Sequence, residues 1–208
     1  MSMLLQLKTS IFADAGESSR LATEFAARWR AGHPDGRVIV RDLTANPVPH
    51  LTAERFLAFA SAPESRSREQ QAALDYSNEL IEELQQADDI VIAAPMYNFG
   101  VPSSLKAYFD HVARSGVTFR YTPNGPLGLL PNRRVTVIAT RGGFYADAQR
   151  DTASQFLRDF LAFLGLTDVE FIYAEGLGIS AEQKQRSLSE AQRRIRALAP
   201  ADALVAVA

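Results

Sequence analysis

Asp89-Ile90-Val91-Ile92-Ala93-Ala94-Pro95-Met96-Tyr97-Asn98-Phe99-Gly100-Val101-Pro102 is the stretch that decides the fold. Residues 89–94 form an unbroken apolar run between an aspartate and a proline, the pattern of a strand buried on both faces. Such strands belong to parallel sheets covered by helices on either side. Working outward, residues 3–8, 37–41, 134–140 and 169–174 read as four more short strands. Residues 19–30, 67–86, 102–115, 151–164 and 181–199 repeat apolar side chains at helical spacing, and residues 52–60 form a shorter helix opened by Thr52. Ser180 and Gln183 stand at capping-box spacing before the last helix. Five strands alternating with crossover helices predict an α/β fold, a doubly wound five-stranded parallel sheet with helices on both faces. No repeat or low-complexity linker divides residues 1–208, so one domain is expected.

Composition narrows the function. A formal charge of −2 gives no basic excess to bind nucleic acid by counterion release. The absence of cysteine excludes disulfide scaffolds, thiolate zinc sites, iron–sulfur clusters and a cysteine nucleophile. The longest uncharged apolar stretch, residues 90–102, is thirteen residues and falls short of the roughly 20 that span a bilayer. Residues 1–8 lack a basic start and a cleavage site, so no membrane association and a cytoplasmic location are expected. The apolar residues 201–208 are expected to form a docked or frayed tail.

In an open parallel sheet, ligands bind beyond the carboxyl ends of the strands, where strand order reverses. Three segments fall there: residues 9–19, 95–104 and 141–147. The first leads from strand to helix with hydroxyls at both ends, and a helix start with its free N–H groups is a phosphate cradle. The alternative is that Ser18 or Ser19 only caps the helix. The segment is not a Walker loop, because the Gly-Lys-Ser/Thr ending is missing. The second places Tyr97 and Phe99 between two prolines, where they either wall a flat heteroaromatic ligand, with amides near Asn98 and Phe99 addressing its polar edge, or plug the sheet end as core. The third contains Gly142-Gly143, which allows close backbone approach and anion stabilisation, or is an ordinary turn.

Taken together, these residues resemble the FMN-dependent NADH azoreductase and quinone reductase family within the flavodoxin-like group. The likeness is carried by residues 93–99, Leu105-Lys106-Ala107-Tyr108-Phe109-Asp110, Gly116-Val117-Thr118-Phe119-Arg120-Tyr121, Thr140-Arg141-Gly142-Gly143 and Ala174-Glu175-Gly176, in order along essentially the whole chain. It implies a flavodoxin-like sheet of order 2-1-3-4-5, a homodimer, and one FMN per subunit with NADH as electron donor. By position, the resemblance puts the phosphate on Ser10, Gly16, Glu17 and Ser18. It lays the ring against Met96, Tyr97, Asn98 and Phe99, with Thr140, Arg141, Gly142 and Gly143 along the pyrimidine side. Phe99, Tyr121 and the partner subunit's Phe163 would line the pocket for quinone or azo substrates, with Phe56 and Phe59 as further candidates. Two positions depart from the family pattern: a hydroxylic residue is usual where Gly16 stands, and Glu17 brings an anion near a phosphate, so its carboxylate must point outward.

A flavin carries its own hydride chemistry, so no protein catalytic group and no metal are expected. The sequence agrees: His33, His50 and His111 are scattered, with no metal-ligand spacing and no nucleophile elbow. Of the three, His111 beside Asp110 is the one to examine. A ping-pong cycle through one pocket is expected. The 17-residue connection 116–132 is long enough to form a flap over the ring. Gly176-Leu177-Gly178-Ile179-Ser180-Ala181 imitates a dinucleotide fingerprint but lacks a following strand with its acidic residue, and reads as a turn with a helix cap. No ribose-reading side chain selects NADH over NADPH, and the physiological oxidant stays open. A flavodoxin-type electron carrier is the alternative, although a charge of −2 offers little steering toward a basic partner; a flavin-free regulatory protein on the same fold is another.

Overall fold

The computed structural model describes residues 1–146 and 150–199. Strands β1 (Met3–Lys8), β2 (Arg37–Asp42) and β3 (Asp89–Pro95) alternate with helices α1 (Glu17–Gly32), α2 (Ala53–Ala60) and α3 (Arg68–Gln86). Then follow α4 (Ser103–Val112), β4 (Phe119–Thr122), β5 (Gly125–Gly128), β6 (Arg134–Thr140), α5 (Thr152–Leu164), β7 (Val169–Ala174) and α6 (Ala181–Leu198). The main sheet is parallel, five-stranded and ordered β2-β1-β3-β6-β7. The numbering departs from the expected 2-1-3-4-5 because an antiparallel hairpin, β4 with β5, is inserted between β3 and β6. That hairpin occupies the connection read as a flap.

The period-2 alternation of buried strands divides the core between the two faces of the sheet. Leu4, Val91, Ile138 and Ile172 meet Phe25 and Trp29 of α1 and Ala191 and Ile195 of α6. Leu5, Leu7, Ile90, Ile92, Val135 and Val137 point the other way, against Leu80 and Leu84 of α3, Tyr108 of α4 and Leu157 and Leu161 of α5. Burying each such side chain contributes about 1.5–3 kcal/mol, which is why the strand interiors tolerate almost no polarity. Side chains cap most of the longer helices. Ser67 and Gln70 complete a reciprocal capping box on α3, and the Thr52 side chain accepts from the Arg55 amide on α2. Ser180 accepts from the Gln183 amide, but the Gln183 side chain turns to Ser187, so only half of that box forms. Helix α4 stops at Val112, three residues short of the expected end, because Thr118 Oγ1 accepts from the Arg114 amide and donates to the Val112 carbonyl, turning the chain.

The chain passes from β1 to β2 on one side and to β3 on the other, so the strand order reverses between β1 and β3. The crevice outside their carboxyl ends is therefore where a ligand belongs. Among the described residues no helix is long and apolar enough to cross a membrane, and no metal-binding cluster forms. The expected tail, residues 201–208, and Asp147 lie outside the described residues.

Candidate functional site

At that crevice the three predicted segments meet in a shallow groove of about 170 Å³. Of the residues expected to hold the cofactor, all but Asn98, Phe99 and Gly143 line it; Phe12, Pro95 and Leu177 complete it and were not foreseen. A ligand cavity usually exceeds about 300 Å³. The groove is thus a trough open on one side.

Its floor is the start of α1. The N-cap is Gly16, with no side-chain cap, so neither Ser18 nor Ser19 caps the helix; both lie inside it. The first-turn amides are consequently without side-chain partners, and the positive end of the helix dipole faces the groove. Ser18 is buried and its hydroxyl, like that of Ser19, has no hydrogen-bond partner among the described residues. An unpaired buried hydroxyl costs about 1–3 kcal/mol, a cost that an anion seated on this helix start would remove. Ser10 lies opposite: its Oγ accepts from the Phe12 amide at 3.2 Å and sits 3.3 Å from the Tyr97 hydroxyl. A Cβ on Gly16 would come within 2.1 Å of that oxygen, so the departure from a hydroxylic residue at this position leaves room for Ser10. The Glu17 carboxylate does turn away from the cradle, to Lys184 at 2.6 Å and Arg20 at 3.9 Å.

After β3 the chain makes a two-residue turn closed by reciprocal hydrogen bonds between Tyr97 and Gly100, both 3.0 Å. Its central residues, Asn98 and Phe99, have φ of +49° and +65°. Left-handed backbone suits Asn but strains Phe by about 1–2 kcal/mol. Such strain clusters where backbone groups are held for a ligand. The Asn98 and Phe99 amides donate to no protein group among the described residues. The Tyr97 hydroxyl also accepts from the Ile11 amide at 3.3 Å, which ties this turn to the β1–α1 loop. Phe99 is 53% exposed and turns to a second, apolar cavity of about 480 Å³, shared with Val101, Lys106 and Phe156, so it borders the groove and does not line it.

The third wall is Thr140 to Gly143. Carbonyls of Arg141, Gly142 and Gly143 accept from the amides of Leu177, Gly178 and Gly176. The imitation fingerprint therefore serves as a brace, with its own amides already used. The Gly142 and Gly143 amides have no such partner among the described residues. A Cβ on Gly142 would meet nothing within 4 Å, so that face is open to a ligand, whereas Gly143 is covered by Tyr145.

Arg141 lines the groove where it was expected, but its side chain has other partners. Its backbone lines the groove, but its guanidinium is buried beneath, donating from Nη2 to Asp151 at 2.9 Å and to Ser154 at 2.6 Å, with Glu175 3.8 Å from Nε. Glu175 in turn accepts from the Tyr145 and Ala146 amides, both at 2.7 Å, and Tyr145 meets Phe99 edge to face. One buried cation between two carboxylates thus fixes the loop that faces the aromatic turn. Asp151 and Ser154 were missed because they lie ten and thirteen positions along the chain from Arg141, at the start of α5.

Tyr121 and Phe163 do not line their own chain's groove. Tyr121 is 74% exposed on β4, and both pack on Phe119, at 5.5 and 4.2 Å between ring centroids. Phe59 packs on His111 and under Arg114, and Phe56 is exposed; neither borders the groove. His111, the histidine singled out for examination, is fully buried with Nδ1 3.0 Å from the Ala107 carbonyl, and burial holds its pKa below the usual value, so it is a neutral core group.

A doubly wound sheet with an uncapped helix start and free amides at its switch point defines a flavodoxin-like protein. A family model described as "Flavodoxin-like fold" matches residues 2–199, and the chain belongs to that family. Within it the chain falls among the FMN-dependent NADH:quinone oxidoreductases and azoreductases. It is 51% identical over 195 residues to an FMN-dependent NADH:quinone oxidoreductase of Cellvibrio japonicus, covering 94% of this chain and 97% of that protein. It is 47% identical to a protein of the same name from Alcanivorax borkumensis, covering 93% and 98%. The crystal structure of an FMN-dependent NADH-azoreductase from Bacillus anthracis in complex with FMN is 25% identical, with a TM-score of 0.84 over 96% of this chain and 100% of that one.

Proposed function

We propose that this chain is a single-domain FMN-dependent oxidoreductase that uses NADH to reduce quinones and, by the same route, azo bonds of aromatic compounds. The observation that carries the reading is the buried, unpartnered Ser18 hydroxyl at an uncapped helix start, in one groove with the free Gly142 amide. The residues fit FMN. The α1 start with Ser10 and Ser18 would hold the phosphate, and Met96, Tyr97 and Thr140 would lie along the ring. The names of the relatives support FMN, NADH and quinones, and the azoreductase neighbour supports azo compounds.

FMN held there would supply hydride chemistry between NADH and the acceptor. The chain's part is to bind, orient and stabilise. The Gly142 amide in the groove, and the unpartnered Asn98 and Phe99 amides at its border, would offer dipoles where negative charge develops. The open side of the groove lets donor and acceptor occupy one place in turn, which gives the ping-pong order. We further propose a cytoplasmic homodimer with one FMN per subunit. A groove too shallow for a ligand pocket and an exposed Tyr121 support a second copy as the missing wall.

The test is steady-state turnover of FMN-loaded protein with NADH and either menadione or methyl red. FMN-dependent NADH oxidation coupled to loss of acceptor is expected; tight FMN binding with no turnover of either acceptor would favour an electron carrier. Tyr121→Ala is expected to lower acceptor reduction at unchanged FMN content.

A further inference from the structure

Glu17 is an anomaly in a phosphate cradle. It is the first residue of α1, it lines the groove, and its carboxylate carries negative charge one residue from both Gly16 and Ser18. The other charged residue lining the groove, Arg141, offers no compensation because its guanidinium is already shared between Asp151 and Glu175. An uncompensated Glu17 charge would therefore work against the attraction that the α1 start offers a dianionic phosphate.

Lys184 cancels that charge at hydrogen-bond distance, closer than Arg20, which stands 3.9 Å away and is mostly exposed. It reaches Glu17 from the other end of the sequence, Nζ to Oε1 at 2.6 Å, from the fourth position of α6. A cation near a helix start is opposed by the helix dipole, so α6 gains nothing from a lysine there. The lysine side chain is 44% exposed, and an ion pair at such a surface contributes little to stability. Neither helix stability nor the fold accounts for its placement, whereas the charge of Glu17 does.

Resting on the reading that the groove holds FMN, we propose that Lys184 is a positioning residue for the cofactor: it neutralises Glu17 and draws its carboxylate toward α6, so that the amide of Glu17 serves the phosphate while its charge does not oppose it. The effect is electrostatic and confined to the phosphate end. It is therefore strong at low ionic strength and screened by salt, and it vanishes for a flavin without phosphate.

The experiment titrates apoprotein with FMN and with riboflavin, following the quenching of flavin fluorescence, for wild type, Lys184→Gln, Glu17→Gln and the double variant. Lys184→Gln is expected to weaken FMN roughly tenfold at about 20 mM salt, the difference shrinking toward unity at about 0.5 M. Riboflavin affinity should not change. Adding Glu17→Gln to Lys184→Gln should restore FMN affinity, since the charge that needed neutralising is gone. Unchanged FMN affinity in Lys184→Gln, equal weakening of FMN and riboflavin, or a double variant as weak as Lys184→Gln would each overturn the proposal while leaving the groove reading in place. Wild-type protein that binds FMN no better than riboflavin would take down the groove reading as well.

Discussion

Replacing Arg141 by methionine tests whether this arginine serves the ligand or the loop. Its guanidinium, 1% exposed, lies among Asp151, Ser154 and Glu175. Methionine keeps much of the volume and removes the charge, leaving two carboxylates in a buried site without a cation; Asp151 Oδ2 already lacks a partner. Breaking a buried pair from one side costs about 3–5 kcal/mol. At about 2–4 °C per kcal/mol for a chain of this size, the apoprotein Tm should fall by roughly 6–20 °C. Asp151 also caps α5, accepting from the Ser154 amide at 3.1 Å, a bond that asparagine can keep. Arg141→Met/Asp151→Asn should therefore recover about 1–3 kcal/mol relative to the sum of the single losses. Urea denaturation of the four apoproteins measures the cycle. If Arg141→Met stays within about 1 kcal/mol of wild type and instead weakens FMN, the guanidinium faces the ligand, and the buried network described above is wrong.

Three further outcomes follow from other parts of the molecule. Ser18→Ala removes a hydroxyl with no protein partner, so apoprotein stability should hold or rise by up to about 1 kcal/mol while FMN affinity falls roughly tenfold or more; stability loss with unchanged affinity would assign Ser18 to the fold. Phe99→Gly relieves left-handed strain of about 1–2 kcal/mol, so apoprotein stability should stay near wild type although an aromatic contact with Tyr145 is lost, while kcat/KM for a planar quinone drops several-fold. His111 is buried neutral, with a pKa lowered from the ordinary 6.5, first by burial and then by Arg55, against the opposing pull of the Ala107 carbonyl and Asp110. The unfolded chain binds the proton more readily, so this contribution is complete above about pH 6.5 and is lost as pH falls below it; His111→Gln should flatten the dependence of the denaturation midpoint between about pH 7.5 and 5.5.

The central strands were legible because they are buried on both faces: the apolar runs of β3 and β6 leave almost no polar face to confuse the period. The hairpin was not, because β5 is Gly-Pro-Leu-Gly, a segment with almost no strand propensity that pairs only because β4 lies beside it. The turn after β3 hid for a similar reason. Its second central residue is Phe99 where such turns favour glycine, so backbone strain stood where the sequence signalled only aromatic bulk. Most of the groove could be read, since strand ends and helix starts dictate where amides point. The direction of the Arg141 side chain could not, because the carboxylates that claim it arrive from the start of α5 and from just after β7.

The central claim is that three loops at the β1–β3 switch point hold a phosphate-bearing flavin. The direct measurement is a crystal structure of the protein grown with FMN. The account predicts phosphate oxygens within hydrogen-bond distance of Ser18 Oγ and the first-turn amides of α1, with the ring along Met96 to Phe99 and Gly142. Flavin density elsewhere, or a phosphate that leaves Ser18 without a partner, would contradict it.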